Sequence, residues 1–186
     1  MTGRARARAF APATVANVGA AFDILGFAVE HPGDIVEVCR TEAPGVRISS
    51  ISGDGGALPR DAARNTASAA IVALLEHLDC RAGVEVRIEK GLSLCSGLGS
   101  SAASSAAAVV AANELLGAPL LRAELLPLVV AAEAVACGTA HADNAAPCLL
   151  GGFCLVRSTS PLDVVSLPVP EHLFGVLVHP HCEVRT

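Results

Sequence analysis

A glycine- and serine-rich segment between a predicted strand and a predicted helix constrains this chain most strongly. Residues 93–103 read SLCSGLGSSAA. Alternating residues at 84–89 predict a strand before the segment, and alanine-rich residues at 100–116 predict a helix after it. Two glycines two positions apart permit a tight turn and a close approach of backbone to ligand. Serine hydroxyls at a helix N-terminus, with its free N–H groups, favour an anion. The segment predicts a phosphate-binding loop, although a turn with serine N-caps fits the same letters.

Other known motifs do not fit this segment. No glycine is followed by Lys and then Ser or Thr, so the segment is not a Walker A loop. Ala102 stands at the third glycine position of the dinucleotide-binding pattern. A serine hydrolase is also disfavoured, because no G-x-S-x-G elbow occurs and Asp143 lies only two residues from His141.

A second informative segment lies near the N-terminus. Residues 11–26 read APATVANVGAAFDILG, in which Asn17 and Asp23 are short polar groups within apolar sequence. An Asx turn would explain them. The functional alternative is that both side chains hydrogen-bond to a small polar substrate in a lined pocket.

A third segment places three polar side chains within four residues. Residues 137–152 read CGTAHADNAAPCLLGG, with His141, Asp143 and Asn144 between apolar runs. A single histidine there would be typical of a hydrogen-bonded core residue. Three such groups are harder to explain by packing, because each buried polar group requires a partner. The cluster therefore predicts a binding site.

The hydrophobic periodicity predicts an α+β fold in which a mixed or antiparallel sheet is covered by helices. Asp61 or Asn65 is expected to cap the first helix, and Pro127 suggests that the third helix begins near Leu126. The predicted strands cover residues 4–10, 34–40, 46–51, 83–90, 153–157, 164–167 and 174–178, and the predicted helices cover 62–78, 100–116, 122–137 and 143–150.

Composition excludes several classes of protein. The 186 residues are 52% hydrophobic and 17% charged, which is not typical of a disordered chain. No uninterrupted apolar stretch is long enough to span a membrane. The net charge of −5 and the 3% aromatic content argue against a nucleic-acid partner. Seven cysteines without a C-x-x-C pair predict buried free thiols in a reducing cytoplasm rather than disulfides or a zinc site.

Together the three segments resemble the GHMP small-molecule kinases, and the A-H-A-D-N-x-A-P run followed by G-G-F is similar to the homoserine kinase family within them. The resemblance implies the fold of ribosomal protein S5 domain 2 and transfer of phosphate from ATP to the hydroxyl of L-homoserine. The sequence departs from the family at Ser93, where proline is frequent, and at Cys95, where glycine or alanine is frequent. A slightly altered start of the loop is expected from these two differences.

The resemblance also implies roles for individual residues, with no catalytic base assigned. Mg²⁺ would contact Ser101 and Glu133, unless Glu133 is a solvated helix carboxylate. Asn65 would line the adenine pocket, or cap its helix. Asp143 would orient His141, and Thr186 would lie near the transferred phosphate. L-homoserine would bind Asn17, Asp23, His141 and Asn144, and ATP would bind Ser93, Leu94, Cys95, Ser96, Gly97, Leu98, Gly99, Ser100, Ser101, Ala102 and Ala103.

Family members continue beyond the length of this chain into a second, ferredoxin-like domain. Residues 1–168 are therefore expected to form the ATP-binding domain, and residues 169–186 the start of a largely missing C-terminal domain. A homodimer is expected because the family often forms one. Two alternatives stay open: a different GHMP kinase, acting on mevalonate or a sugar, and a nucleotide-binding fragment without activity.

Overall fold

The computed structural model describes residues 4–138 and 141–178, which form one sheet with helices against it. The strands are β1 (Arg6–Val15), β2 (Leu25–Thr41), β3 (Gly45–Ser52), β4 (Gly83–Glu89), β5 (Phe153–Thr159) and β6 (Leu162–Leu167), and the helices are α1 (Thr66–His77), α2 (Ser100–Leu115), α3 (Arg122–Cys137) and α4 (Ala142–Leu150).

The strands of the described residues form a mixed sheet in the order β3-β4-β2-β5-β6, with β1 paired to β2. Only β3 and β4 run parallel among these pairs. The long β2 pairs with β5 near its start and with β4 near its end, so it joins the two halves of the sheet. The predicted α+β class is confirmed.

Helix α2 is the centre of the core. It packs on β1 and β2, and α1 and α3 pack on α2. Its alanines at 102, 103, 106, 107, 108, 111 and 112 are at most 1% exposed. Methyl side chains permit close packing of α2 against both layers. The alanine-rich sequence therefore fixes the position of the helix whose N-terminus follows the glycine-serine loop.

The outer face of the sheet is charged and exposed. Arg6 and Arg87 both contact Glu37, and Arg87 and Arg47 both contact Glu85. Alternate residues of the same strands, such as Val36, are buried. Arg6 and Arg8, which alternate with alanines in β1, therefore form the solvent face of this strand.

Two helix starts differ in how well the sequence predicts them. Asn65 caps α1 by accepting a hydrogen bond from the backbone N–H of Ala67, which selects Asn65 over Asp61. Helix α3 covers Arg122–Cys137, the range that the hydrophobic pattern predicts, so only the alternative start near Leu126 is wrong. Pro127 is tolerated inside this helix because it and Ala123, whose carbonyl would pair with it, are both exposed to water.

The predicted strand at 174–178 is also wrong. The structure places no strand at these residues, and Phe174, Val176 and Val178 are 86%, 88% and 87% exposed. Their alternating pattern suits a strand, but a strand needs a neighbouring strand to satisfy its backbone groups.

No helix in the described part of the chain is both long and apolar enough to cross a membrane.

Candidate functional site

The glycine-serine loop ends at the N-terminus of α2, as predicted. Gly99 is the N-cap residue, with a φ of 64°. The hydroxyls of Ser96 and Ser100 are buried and have no hydrogen-bond partner among the described residues. Buried polar groups are normally satisfied, so two such hydroxyls beside a helix N-terminus indicate a ligand that would complete them. Cys95 in the same loop is exposed, contrary to the expectation of buried thiols.

Glu133 projects from α3 toward the first turns of α2. It is 2% exposed, so it is not a solvated helix carboxylate. The Ser101 hydroxyl donates to Oε2 at 2.7 Å, and the Ser105 hydroxyl donates to Oε1 at 3.2 Å. Burial raises the pKa of the Glu133 carboxyl, although these two hydrogen bonds oppose the shift. The carboxylate and the Ser101 hydroxyl thus form a compact pair of oxygen groups beneath the loop, of the kind that could hold a hard cation.

A buried ion pair between Asp34 and Lys90 fixes both ends of the loop. The Lys90 ammonium contacts the Asp34 carboxylate and donates to the Ser100 carbonyl at 2.9 Å. Both side chains are at most 1% exposed. Asp34 Oδ1 accepts from the N–H groups of Gly91 and Leu92, where the loop begins.

Ser104 completes what we name the Asp34–Lys90 cluster, defined as Asp34, Lys90 and Ser104. Its hydroxyl donates to Asp34 at 2.7 Å and accepts from Lys90 at 2.9 Å. Burial lowers the pKa of the Lys90 ammonium, and the Asp34 carboxylate opposes that shift. None of these residues is among the predicted site residues; the only sequence signal is a lysine directly before the loop.

His141 and Asp143 lie at the start of α4. His141 is the N-cap residue, and it lies close enough to Glu133 and Asp143 to interact electrostatically with both carboxylates. Asp143 is 1% exposed, and its Oδ2 has no hydrogen-bond partner among the described residues. Burial raises the pKa of the Asp143 carboxyl, and the charge of Asp23 adds to the shift. The third segment therefore adjoins both the second segment and Glu133.

The loop between β1 and β2 carries Asn17 and Asp23. Both residues have left-handed backbone conformations, with φ of 57° and 58°, and both are exposed. Asn17 Oδ1 accepts from the Asp23 N–H at 2.9 Å. The bond spans six residues rather than the two of an Asx turn, so the Asx-turn interpretation is wrong for Asn17. The Asp23 carboxylate is close enough to Asp143 for their charges to interact.

Thr14 connects the loop to α4. It is 0% exposed, its N–H donates to the Leu98 carbonyl at 3.1 Å, and its hydroxyl donates to Asn144 Oδ1 at 2.9 Å. Gly99 lies against this pair, because a Cβ there would stand 2.1 Å from Thr14 Oγ1 and 2.9 Å from Asn144 Oδ1. Thr14 is not among the predicted site residues, although it lies within the second segment.

Asn65 uses both ends of its amide within the chain. Its Oδ1 accepts from Ala67, and its Nδ2 donates to the Pro59 carbonyl at 3.0 Å. It lies beside the site, because the hydroxyl of the next residue, Thr66, is 3.5 Å from the Ser101 carbonyl. Its helix-capping role is confirmed, and its role in an adenine pocket stays a prediction.

Thr186, which the sequence predicts near the transferred phosphate, lies outside the described residues.

The arrangement joins the N-termini of three helices. Thr66 brings α1 to α2, and Asn144 brings α4 to the same place through Thr14. Each helix N-terminus presents N–H groups and a partial positive charge. The described residues contain no cluster of three or more His, Cys, Asp or Glu that could hold a metal alone. This geometry suits a polyanion that binds together with a cation. The cation would take few of its ligands from the protein.

Comparison with known proteins agrees with this geometry. Residues 65–152 match the family described as GHMP kinases N terminal domain. A homoserine kinase from Chlorobium phaeovibrioides is 53% identical over 96% of this chain, and one from Xanthomonas campestris is 46% identical over 99%. The crystal structure of homoserine kinase from Cytophaga hutchinsonii superposes with a TM-score of 0.96 at 53% identity and covers 100% of this chain.

More distant structures share the fold alone. The mevalonate kinase of Methanococcus jannaschii superposes with a TM-score of 0.66 at 14% identity over 87% of this chain. The loop and the helices around it, within residues 65–152, thus match the class described as GHMP kinases N terminal domain. Within that class, the relatives that match nearly its whole length are homoserine kinases. The chain spans 59% of the length of the Chlorobium relative and 56% of the Xanthomonas one.

Proposed function

We propose that this chain binds ATP at residues 93–103 and transfers its γ-phosphoryl group to the hydroxyl of L-homoserine. The observation that carries the proposal is the buried pair of Ser101 and Glu133 at the N-terminus of α2. It lies beneath two buried hydroxyls that have no partner among the described residues. The similarity to homoserine kinases supports the choice of substrate.

The loop and α2 bind the triphosphate. The hydroxyls of Ser96 and Ser100 donate to phosphate oxygens, and the first N–H groups of α2 face the same oxygens. Gly97 and Gly99, both with φ near 70°, permit the backbone to turn toward the phosphates. Asn65, at the neighbouring end of α1, contacts the adenine.

Ser101 and Glu133 would hold Mg²⁺, and their oxygens fit that ion. Mg²⁺ takes hard oxygen ligands, with few from the protein and the rest from phosphate and water. When bound, the ion neutralises charge on the transferred phosphoryl group. The Ser105 hydroxyl, which donates to Oε1, would hold the Glu133 carboxylate in place beside the ion.

The amino-acid substrate lies between the second and third segments. The exposed Asp23 carboxylate pairs with the substrate ammonium group, and Asn17 fixes the loop that carries it. His141 and Asn144 hold the remaining polar atoms and orient the hydroxyl. Asp143 keeps His141 in position, consistent with the attraction between their charges.

The reaction needs positioning more than proton abstraction. The substrate hydroxyl oxygen forms a bond to the γ-phosphorus while the bond to the β,γ-bridging oxygen breaks, giving O-phospho-L-homoserine, ADP and a proton. A loose phosphoryl-transfer transition state places little demand on a base. The donors at the N-terminus of α2 stabilise the charge, so we assign no catalytic base.

We further propose a cytoplasmic location and a homodimeric assembly.

The test is ADP release by the full chain with Mg-ATP and each of three alcohols: L-homoserine, mevalonate and galactose. We expect a rate that depends on homoserine and is at least tenfold above the other two. Glu133→Ala should lower kcat about 100-fold or more, the typical cost of losing a group that stabilises the transition state.

Glu76→Ala, which removes an exposed carboxylate on α1, is the matched control and should leave the rate unchanged. Faster turnover of mevalonate or galactose would reassign the substrate. ADP release with none of the three alcohols would overturn the proposal for this chain.

A further inference from the structure

Thr14 occupies a position that joins the two halves of the site. It lies where the pairing of β1 with β2 shifts register, and it is 0% exposed. Its backbone N–H holds the loop through Leu98, and its hydroxyl holds α4 through Asn144.

The hydroxyl also sets the direction of the Asn144 amide. An asparagine amide has an acceptor on Oδ1 and two donors on Nδ2, and it can bind in either of two orientations. In the structure the Thr14 hydroxyl donates to Oδ1, which leaves Nδ2 as the end of the amide that can donate to a ligand. Asn144 therefore offers N–H groups to a ligand, which suits the carboxylate and hydroxyl oxygens of an amino acid with a side-chain alcohol.

Gly99 is adapted to the same pair of side chains. A Cβ at this position would overlap Thr14 Oγ1 at 2.1 Å and would crowd Asn144 Oδ1 at 2.9 Å. Real Cβ atoms do not approach other atoms so closely, so a side chain at residue 99 would displace the hydrogen-bonded pair. The second glycine of the loop thus permits α2 to begin directly beside the Thr14–Asn144 hydrogen bond.

We propose that Thr14 is a positioning residue that orients the Asn144 amide toward the amino-acid substrate and fixes its distance from the phosphate loop. This inference rests on the proposed function for the identity of the substrate. The Thr14–Asn144 hydrogen bond itself does not depend on the substrate, so two measurements separate the two claims.

The first measurement compares Thr14→Val, which keeps the shape and removes the hydroxyl, with Thr14→Ser, which keeps the hydroxyl. In the full chain, Thr14→Val should raise the homoserine KM about tenfold, the cost of one well-formed buried hydrogen bond, and should change the ATP KM less than twofold. Thr14→Ser should restore the homoserine KM to within about threefold of the wild-type value. Equal rises in both KM values, or no rescue by serine, would overturn the positioning role.

Thr41→Val is the matched control, because the Thr41 hydroxyl donates to the Ala43 carbonyl in an exposed turn. It should leave both KM values unchanged. A change in the homoserine KM as large as that of Thr14→Val would mean that loss of any threonine hydroxyl has this effect, and the proposal would fail.

The second measurement records the side-chain amide signals of Asn144 by NMR in the ligand-free chain, with Asn144→Ala used for assignment. Thr14→Val should shift both amide proton signals, and Thr14→Ser should not. Unchanged signals in Thr14→Val would overturn the proposal whatever the substrate is. Shifted signals in a chain that does not respond to homoserine would instead place the error in the proposed function.

Discussion

Asp143 illustrates how burial changes the ionisation of a single residue in this site. Its carboxyl is 1% exposed, and Oδ2 has no partner among the described residues. A carboxylate at the N-terminus of α4 is favoured by the helix dipole, and Oδ1 accepts from the Asn144 N–H at 3.1 Å. Burial and the charge of Asp23 nevertheless prevail and raise its pKa. Such a group is tolerated where a ligand or a neighbouring side chain uses its charge.

This shift predicts a pH dependence. The folded chain binds the Asp143 proton more tightly than the unfolded chain, whose carboxyl has a pKa near 3.8. The free energy of unfolding therefore falls as the pH rises through the interval between 3.8 and the raised folded value. Asp143→Asn removes this loss, so its stability relative to wild type should be greater at pH 7 than below 3.8. Urea unfolding at both pH values measures the difference.

Glu76→Gln provides the control for that measurement. The Glu76 carboxylate is exposed on α1, so its replacement should alter the relative stability by a similar small amount at both pH values. An Asp143→Asn variant whose stability relative to wild type is lower at pH 7 than below 3.8 would contradict the prediction, because the buried charge would then be stabilising.

At the scale of the element, the loop depends on residues outside it. Asp34 on β2 binds the N–H groups where the loop begins, and Lys90 binds the Ser100 carbonyl where it ends. Removing one partner from a buried ion pair leaves a charge without compensation, which is strongly destabilising. Ser104 permits a milder test, because it contributes a neutral hydroxyl to the same Asp34–Lys90 cluster.

Ser104→Ala should weaken ATP binding as well as stability. Loss of the hydroxyl leaves the cluster short of two hydrogen bonds, and we expect about 1–3 kcal/mol of destabilisation. The loop should lose its fixed geometry, with ATP binding weakened about fivefold or more by calorimetric titration. Asn113→Ala is the matched control: Asn113 lies at the other end of α2, is 5% exposed and makes two hydrogen bonds to Leu120.

The control should lose similar stability in urea unfolding while its ATP affinity stays at the wild-type value. If both variants weaken ATP binding equally, general stability rather than the Asp34–Lys90 cluster determines the geometry of the loop.

The elements also separate what the sequence predicts from what it does not. Helix α2 and the loop before it could be predicted, because glycine, serine and alanine act there through local backbone preferences. The contact between Lys90 and Asp34 spans 56 residues, and that between Thr14 and Asn144 spans 130. No local pattern encodes such pairs. The strand expected at 174–178 failed for a related reason, since alternation alone does not supply a pairing partner.

At the scale of the whole molecule, the site is assembled from segments distant in sequence. The N-termini of α1, α2 and α4 meet beside the end of β1, and Glu133 approaches from α3. The functional segments recognised from the sequence are thus brought together by the sheet and by the packing of α2 against it. A ligand that bridges these elements stabilises contacts among most of the described chain rather than one local segment.

Mg-ATP should therefore raise the unfolding temperature of the whole chain in one cooperative transition. A ligand at 100 times its Kd adds about 2.7 kcal/mol, which for a chain of this size corresponds to a rise in Tm of about 5–10 °C. Scanning calorimetry with Mg-ATP, with ATP plus EDTA, and with neither measures the effect. The rise should shrink with EDTA, because without Mg²⁺ the buried Glu133 carboxylate faces the triphosphate without a cation between them. Glu133→Ala should reduce the dependence on Mg²⁺, since it removes both the ion's ligand and the repelling charge. A Tm that Mg-ATP does not change, or an equal rise with and without Mg²⁺ in the wild-type chain, would contradict the assignment of this pair of oxygens to the metal.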